Sequence, residues 1–320
     1  MSKFKYALAG VVAAFAFSAA AQPYPARPIT IVVPFAAGGN NDVSGRLIAQ
    51  EMARNLGQSV VVENKTGAGG AIGAGFVAKA EADGYTLGFL SSGPLAGNVS
   101  LYKDLPYDAL KSFAPIARAT TSPSVLVLNN SVAANTLDEF IDYVKANPGK
   151  VNYGTSGTGS SPHLAGVLFE TMAGVEMTAV PYRGGSQVNT DLLAGQIQAS
   201  FSPILEVMPL IQAGKLKAIG VTSERRNPLL ENVPAIAERL QGFELMTWNG
   251  FVAPAGTPPE IVQRLNAEVV KAVNEPKIKA QLLQLGLEAA PTSPGDFGVY
   301  IKQQIASFAR LVDLAGIEPQ

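Results

Sequence analysis

Apolar and polar positions along this chain switch repeatedly between the period of a strand and the period of a helix, and the switches mark out its elements. Ile29–Val33 is a short β-branched run that stops at Pro34, passes through Phe35-Ala36-Ala37-Gly38-Gly39 and enters a helix near Asn41-Asp42. There Val43, Leu47, Ile48, Met52 and Leu56 recur at helical spacing and Gly57 closes the helix. A second strand over 59–63, a glycine-rich stretch over 64–70, an alanine-rich helix to about Ala82 and a third strand over 85–91 repeat that order. Such alternation predicts a parallel sheet with helices on its faces. Residues 113–128 read as two strand-like runs, PIARA and SVLVLN, with 120–123 between them, followed by a helix over 137–146 capped by Asn135-Thr136. From Val151 a second series begins: strand, glycine loop, helix 164–172, strand 177–181, glycine loop, helix 188–194, then strands at 196–201 and 216–222. The last third predicts a strand at GFVAP and helices over 261–273, 277–285 and 297–315, the first opened by Thr257-Pro258-Pro259-Glu260. Two like series joined in the middle predict two α/β lobes.

Residues 1–21 stand apart. Lys3 and Lys5 precede an apolar, alanine-rich run over 6–17, and Ala19-Ala20-Ala21 ends it, which predicts a secretory signal peptide cleaved near Ala21. The run is shorter than the roughly 20 residues that span a bilayer. The chain has no cysteine, which excludes a cysteine-linked lipid anchor, a disulfide and a thiolate nucleophile. With a net charge of −1 it offers no basic face for nucleic acid. The expected product is a soluble, monomeric protein of the periplasm without a cofactor.

Four strand-to-helix turns are rich in glycine or hydroxyls: 35–42, 64–73, 154–163 and 182–189. Parallel strands end on one edge, so these turns share a side, and ligands of open α/β folds sit there. A helix start offers unpaired N–H groups and the positive end of its dipole, enough to hold an anion without a cationic side chain. The first turn reads as half of a carboxylate clamp. The third, Gly154-Thr155-Ser156-Gly157-Thr158-Gly159-Ser160-Ser161-Pro162-His163, supplies hydroxyl and amide donors. No G-x-x-x-x-G-K-[ST] occurs. Gly73-Ala74-Gly75-Phe76-Val77-Ala78 matches a dinucleotide fingerprint by letters only, and its glycines read as helix packing. His163 is the one histidine and no G-x-S-x-G elbow exists, so a serine triad lacks its frame. His163 reads as a cap or as a polar cleft contact, and Asp42 as a helix cap or as a ligand contact. Arg183 is either solvated or paired with a carboxylate, and Phe35 and Trp248 either wall a cleft or fill a core. No acids or histidines have metal-ligand spacing.

VPFAAGGNND, VVENKTGAGG, YGTSGTGSSPHLAG, VPYRGG, LLAGQIQASF, AGKLKAIGVTS and WNGFVAPAGTP, in this order, resemble the Bug family. These are the TctC-like solute-binding receptors of tripartite tricarboxylate transporters, and the resemblance covers essentially all of the chain after the signal peptide. It implies an α/β, two-lobed type II periplasmic-binding (Venus flytrap) fold, each lobe a mainly parallel sheet flanked by helices, hinged by two crossing segments. Lobe 1 would be 23–122 with 247–320, and lobe 2 would be 123–246. The implied function is capture of a small carboxylate by lobe closure and delivery to the membrane subunits of the transporter, with no enzymatic step. By the resemblance, Phe35, Ala36, Ala37, Gly38 and Gly39, with Gly67, Ala68, Gly69 and Gly70, would hold a carboxylate, in part through water, and Asp42, Ser91 and Ser92 are further candidates beside them. Thr155, Ser156, Gly157, Ser160 and Ser161, then Tyr182, Arg183 and Gly184, would select the far end, and His163 and Ser202 are further candidates there. Relatives often carry an acid after the strand at 196–201, where this chain has Ser202-Pro203. Its absence favours a non-amino ligand, a di- or tricarboxylic or aromatic acid. A receptor serving a sensor and an exported hydrolase are the alternative readings.

Overall fold

The computed structural model describes residues 24–35, 37–182 and 185–319; the predicted signal peptide, Ala36, Arg183 and Gly184 lie outside the described residues. β1 (Ile29–Val33), buried at four of its five positions, is flanked by two parallel strands, β2 (Val60–Asn64) and β3 (Thr86–Ser91). α1 (Asn40–Leu56) and α2 (Ala71–Ala78) connect them, and a wide turn at Gly93–Gly97 leads into the short α3 (Asn98–Leu101). In α2, a Cβ on Gly73 would meet Lys65 O at 2.7 Å, so this glycine serves helix packing as the sequence suggests.

β4 (Phe113–Asn129) is one strand of 17 residues where two runs were predicted. The polar stretch 120–123 reads as a break, yet its residues are buried and paired. Thr120 to Pro123 pair with Asn249 to Met246 of β9 (Met246–Pro254), and from Ser124 onward β4 changes partner. The polar groups there are satisfied by distant parts of the chain: Ser122 Oγ donates to Gly286 O at 2.8 Å, and Thr222 Oγ1 accepts from the Ser124 amide at 2.8 Å. Pro123, which has no N–H to give, stands where the partner changes.

The second series repeats the first. α4 (Leu137–Ala146) starts at Thr136, whose hydroxyl accepts from the Glu139 amide. β5 (Asn152–Thr155) lies between parallel β6 (Thr178–Pro181) and β7 (Ala199–Pro203). α5 (Ser161–Ala173), α6 (Gly185–Ala194) and α7 (Ile204–Gln212) follow β5, β6 and β7 in turn, and β8 (Leu216–Val221) closes the series against β4. The chain then returns along β9 to α8 (Pro259–Asn274), α9 (Pro276–Gln284), the short β10 (Glu288–Ala289) and α10 (Pro294–Leu314).

The strand order is β2-β1-β3-β9-β4-β7-β5-β6. The three strands at each end are parallel, as predicted. β9 runs antiparallel to both β3 and β4, and β4 antiparallel to β7, so the sheets are mixed. The cause is the return of the chain: β4 leaves the first set of strands and β9 comes back beside it. Trp248 is fully buried, edge-on to Phe297 and Tyr300, with its indole N–H on Gln304 at 3.3 Å. It is a core residue and does not wall a cleft. No described helix is long and apolar enough to cross a membrane.

Candidate functional site

The turn after β1 is held open by a buried carboxylate. Gly38 has φ +81°, a conformation that costs other residues more than glycine, and its amide donates to Asp42 Oδ2 at 2.9 Å. Asp42, only 3 % exposed, also accepts from Arg46 Nε at 2.9 Å and from Asn64 Nδ2 at 2.8 Å. The Asn64 amide reaches on to Phe35 O at 2.9 Å, so both ends of the turn are tied down. Burial works to raise the Asp42 pKa, but the hydrogen bonds from Arg46, the Gly38 amide and Asn64 outweigh it and hold the pKa at about 2. α1 begins at Asn40 with Gly39 as its N-cap, so Asp42 is not the cap; it braces the turn from inside the helix.

The second turn is bent throughout, with φ of +127°, +47°, +58° and +90° at Gly67, Ala68, Gly69 and Gly70. Ala68 is a non-glycine residue in the left-handed region, a strain that the surrounding structure must hold. Gly69 O accepts from Asn98 Nδ2 at 3.1 Å. Asn41 Nδ2 donates to Asn249 Oδ1 at 2.7 Å and Asn249 Nδ2 donates to Thr120 Oγ1 at 3.2 Å. The start of α1 is thereby coupled to both β9 and β4.

Across from these lie the turns of the second series. The apolar periodicity of α5 starts at Leu164, but the helix itself starts at Ser161. His163 therefore sits in the first turn, where its Nδ1 accepts the Gly159 amide at 3.0 Å and burial lowers its pKa. Ser160 Oγ donates to Gly157 O at 2.6 Å, and Ser202 Oγ to Ser200 Oγ at 3.0 Å. Tyr182 is committed to Asp191 Oδ2 at 2.8 Å.

These turns enclose a cleft of about 810 Å³ with an adjoining pocket of about 220 Å³ in the second set of strands. Of the sequence-predicted residues, Phe35, Gly38, Gly69, Ser91, Ser92, Ser156, Ser160, Ser161 and Ser202 line one or both. Ala37, Gly39, Asp42, Gly67, Ala68, Gly70, Thr155, Gly157, His163 and Tyr182 are not on these walls; where contacts define them they shape or brace the turns. The walls also hold residues that sequence reasoning missed, among them Asn41, Asn98, Tyr102, Ser122, Thr247, Asn249 and Glu206. The far wall does carry an acid, Glu206, in the first turn of α7, three residues past the end of β7. No lysine or arginine is among the described wall residues. Instead residues in the first turns of α1, α5, α6 and α7 line the walls, bringing four positive helix ends to the cleft and its adjoining pocket. Among the described residues no group of acids and histidines could hold a metal ion.

The family model for the tripartite tricarboxylate transporter family receptor matches residues 45–317. The UPF0065 protein in the tcbD-tcbE intergenic region of Pseudomonas sp. (strain P51) is 40% identical over 291 residues, covering 90% of this chain and 86% of its own. R. palustris Rpa4515, solved with adipate, is 36% identical with a TM-score of 0.80, over 93% of this chain and 100% of that one. MatC from Rhodopseudomonas palustris, solved with bound malate, is 33% identical with a TM-score of 0.74, over 90% and 100%. The fold is the type II periplasmic-binding fold, mixed sheets flanked by helices, and a receptor of this kind binds its solute without transforming it. The chain belongs to the tripartite tricarboxylate transporter family of solute-binding receptors.

Proposed function

We propose that the mature chain is a periplasmic receptor that takes a small organic acid into this cleft, closes two lobes over it and presents it to the membrane subunits of a tripartite tricarboxylate-type transporter. The lobes are 23–122 with 247–320, and 123–246; the change of partner along β4 at Pro123-Ser124 and the return of the chain at Met246 support this division. The observation that carries the reading is the convergence of four helix N-termini and many uncharged donors on a space whose described walls hold no cation. Such a surface suits a carboxylate. The adipate and malate held by the two R. palustris proteins belong to the same ligand class. Contacts from both lobes to one ligand favour the closed arrangement over the open one, which is what closure requires.

A thermal-shift screen of residues 22–320 against mono-, di-, tri- and aromatic carboxylates tests this. At a hundredfold excess over its dissociation constant, a ligand adds about 2.7 kcal/mol and raises the midpoint by several degrees. At least one acid is expected to do so, and loss of its uptake on deletion of the gene places the receptor in transport. A flat response to every acid ends the reading.

A further inference from the structure

Glu206 stands out on the wall of the cleft. It and Tyr102 are the only ionisable side chains among the described residues lining the two cavities, and Tyr102 lies on the opposite side with α3. The Glu206 carboxylate lies against the first residue of α6: a Cβ built on Gly185 would fall 2.0 Å from its Oε2. A side chain there would have to push the carboxylate aside. Its position in the first turn of α7 and beside the start of α6 means that a built-in anion already answers the positive ends of those two helices. The remaining helix ends on the walls, those of α1 and α5, are left for the ligand's carboxylate. The rest of the small pocket is hydroxyl-rich, with Ser124, Ser200 and Ser202 among its walls. Partial desolvation raises the Glu206 pKa, although the residue as a whole stays exposed.

We infer that Glu206 selects the far end of the ligand, so that the group entering the small pocket is a hydrogen-bond donor without negative charge (a hydroxyl, amide or ammonium) in place of a second carboxylate. This rests on the reading of the cleft as a carboxylate site. A second carboxylate in that pocket would face Glu206 as a like charge at short range, whereas a donor gains a charge-assisted bond.

The test uses calorimetry at neutral pH on the mature chain and on Glu206→Gln. The probes are straight-chain acids of four to six carbons, each bare or with a terminal hydroxyl, amide, ammonium or carboxylate. In the wild type a donor-ended acid is expected to bind at least about tenfold tighter than the diacid of equal length. In Glu206→Gln the ammonium-ended acid weakens by about tenfold or more and the diacid tightens, while the bare acid stays within about twofold and reports that the fold is intact. Gly185→Ala, which displaces the carboxylate without removing it, moves the same ligands in the same directions. Diacids binding the wild type more tightly than their donor-ended counterparts, or a uniform effect of Glu206→Gln on all end groups, overturns the assignment while leaving the carboxylate site standing. If no acid binds at all, bare ones included, the carboxylate reading fails and this one fails with it.

Discussion

Replacing Asp42 by alanine is expected to lower stability by about 2–4 kcal/mol and to weaken ligand binding by more than about tenfold, although Asp42 is not on the cleft wall. The substitution orphans the Gly38 amide and removes the acceptor of Arg46 and Asn64. Asn64 also holds Phe35 O, so the turn that presents Phe35 and Gly38 to the cleft loses both its ties. The folded-state pKa of Asp42 lies at about 2, below its ordinary 3.8. A depressed carboxylate pKa contributes stability that is complete above the unfolded value and is lost as the pH falls through the folded one. Wild-type stability should therefore drop by about 2 kcal/mol between roughly pH 4 and pH 2 on this account. Urea melts at neutral and acid pH read the difference: Asp42→Asn should be less stable at neutral pH and show a shallower acid decline. An acid decline of equal depth in the variant would mean that other carboxylates set it.

The second large effect is expected from Trp248→Ala, at about 3–5 kcal/mol. The indole is fully buried and packs edge-on against Phe297 and Tyr300, so its removal leaves a void between β9 and α10 that rigid neighbours cannot fill. Its chain neighbours Thr247 and Asn249 both line the cleft, so the loss should also weaken ligand binding. Denaturant unfolding followed by circular dichroism measures the stability, since the variant lacks the protein's one tryptophan. Trp248→Phe, which keeps a ring in the space, should recover more than half of the loss. A change below about 1 kcal/mol for the alanine variant would show that the region repacks freely.

Local order was legible in the sequence wherever apolar residues kept a clear period. Ile29–Val33 and the helix after it, the two parallel triplets of strands and the glycine turns at their ends all follow from spacing and turn chemistry. Helix starts were less legible where they are polar. Ser161-Pro162 and Gly185-Ser186-Gln187 carry no apolar period, so α5 and α6 read as beginning three residues late. The continuity of β4 was hidden for a different reason. Thr120, Thr121 and Ser122 look like turn residues until their long-range partners Asn249, Trp248 and Gly286 are in place. Glu206 escaped because it follows its strand by three positions, inside a helix, while loops are where contacts with a ligand are ordinarily sought. Asp42 shows the converse. Its place at a helix start was plain, but its role as a brace depends on Asn64, which lies on another strand.

β4 belongs to two sheets at once, and no flexible linker separates its two ends. Losing either half of the molecule would strip the edge from the other, because the same backbone supplies both ladders. Scanning calorimetry should therefore record one endotherm for the mature chain, with calorimetric and van't Hoff enthalpies in agreement. Two separable endotherms would mean that the shared strand can fray at Pro123-Ser124 while one half survives.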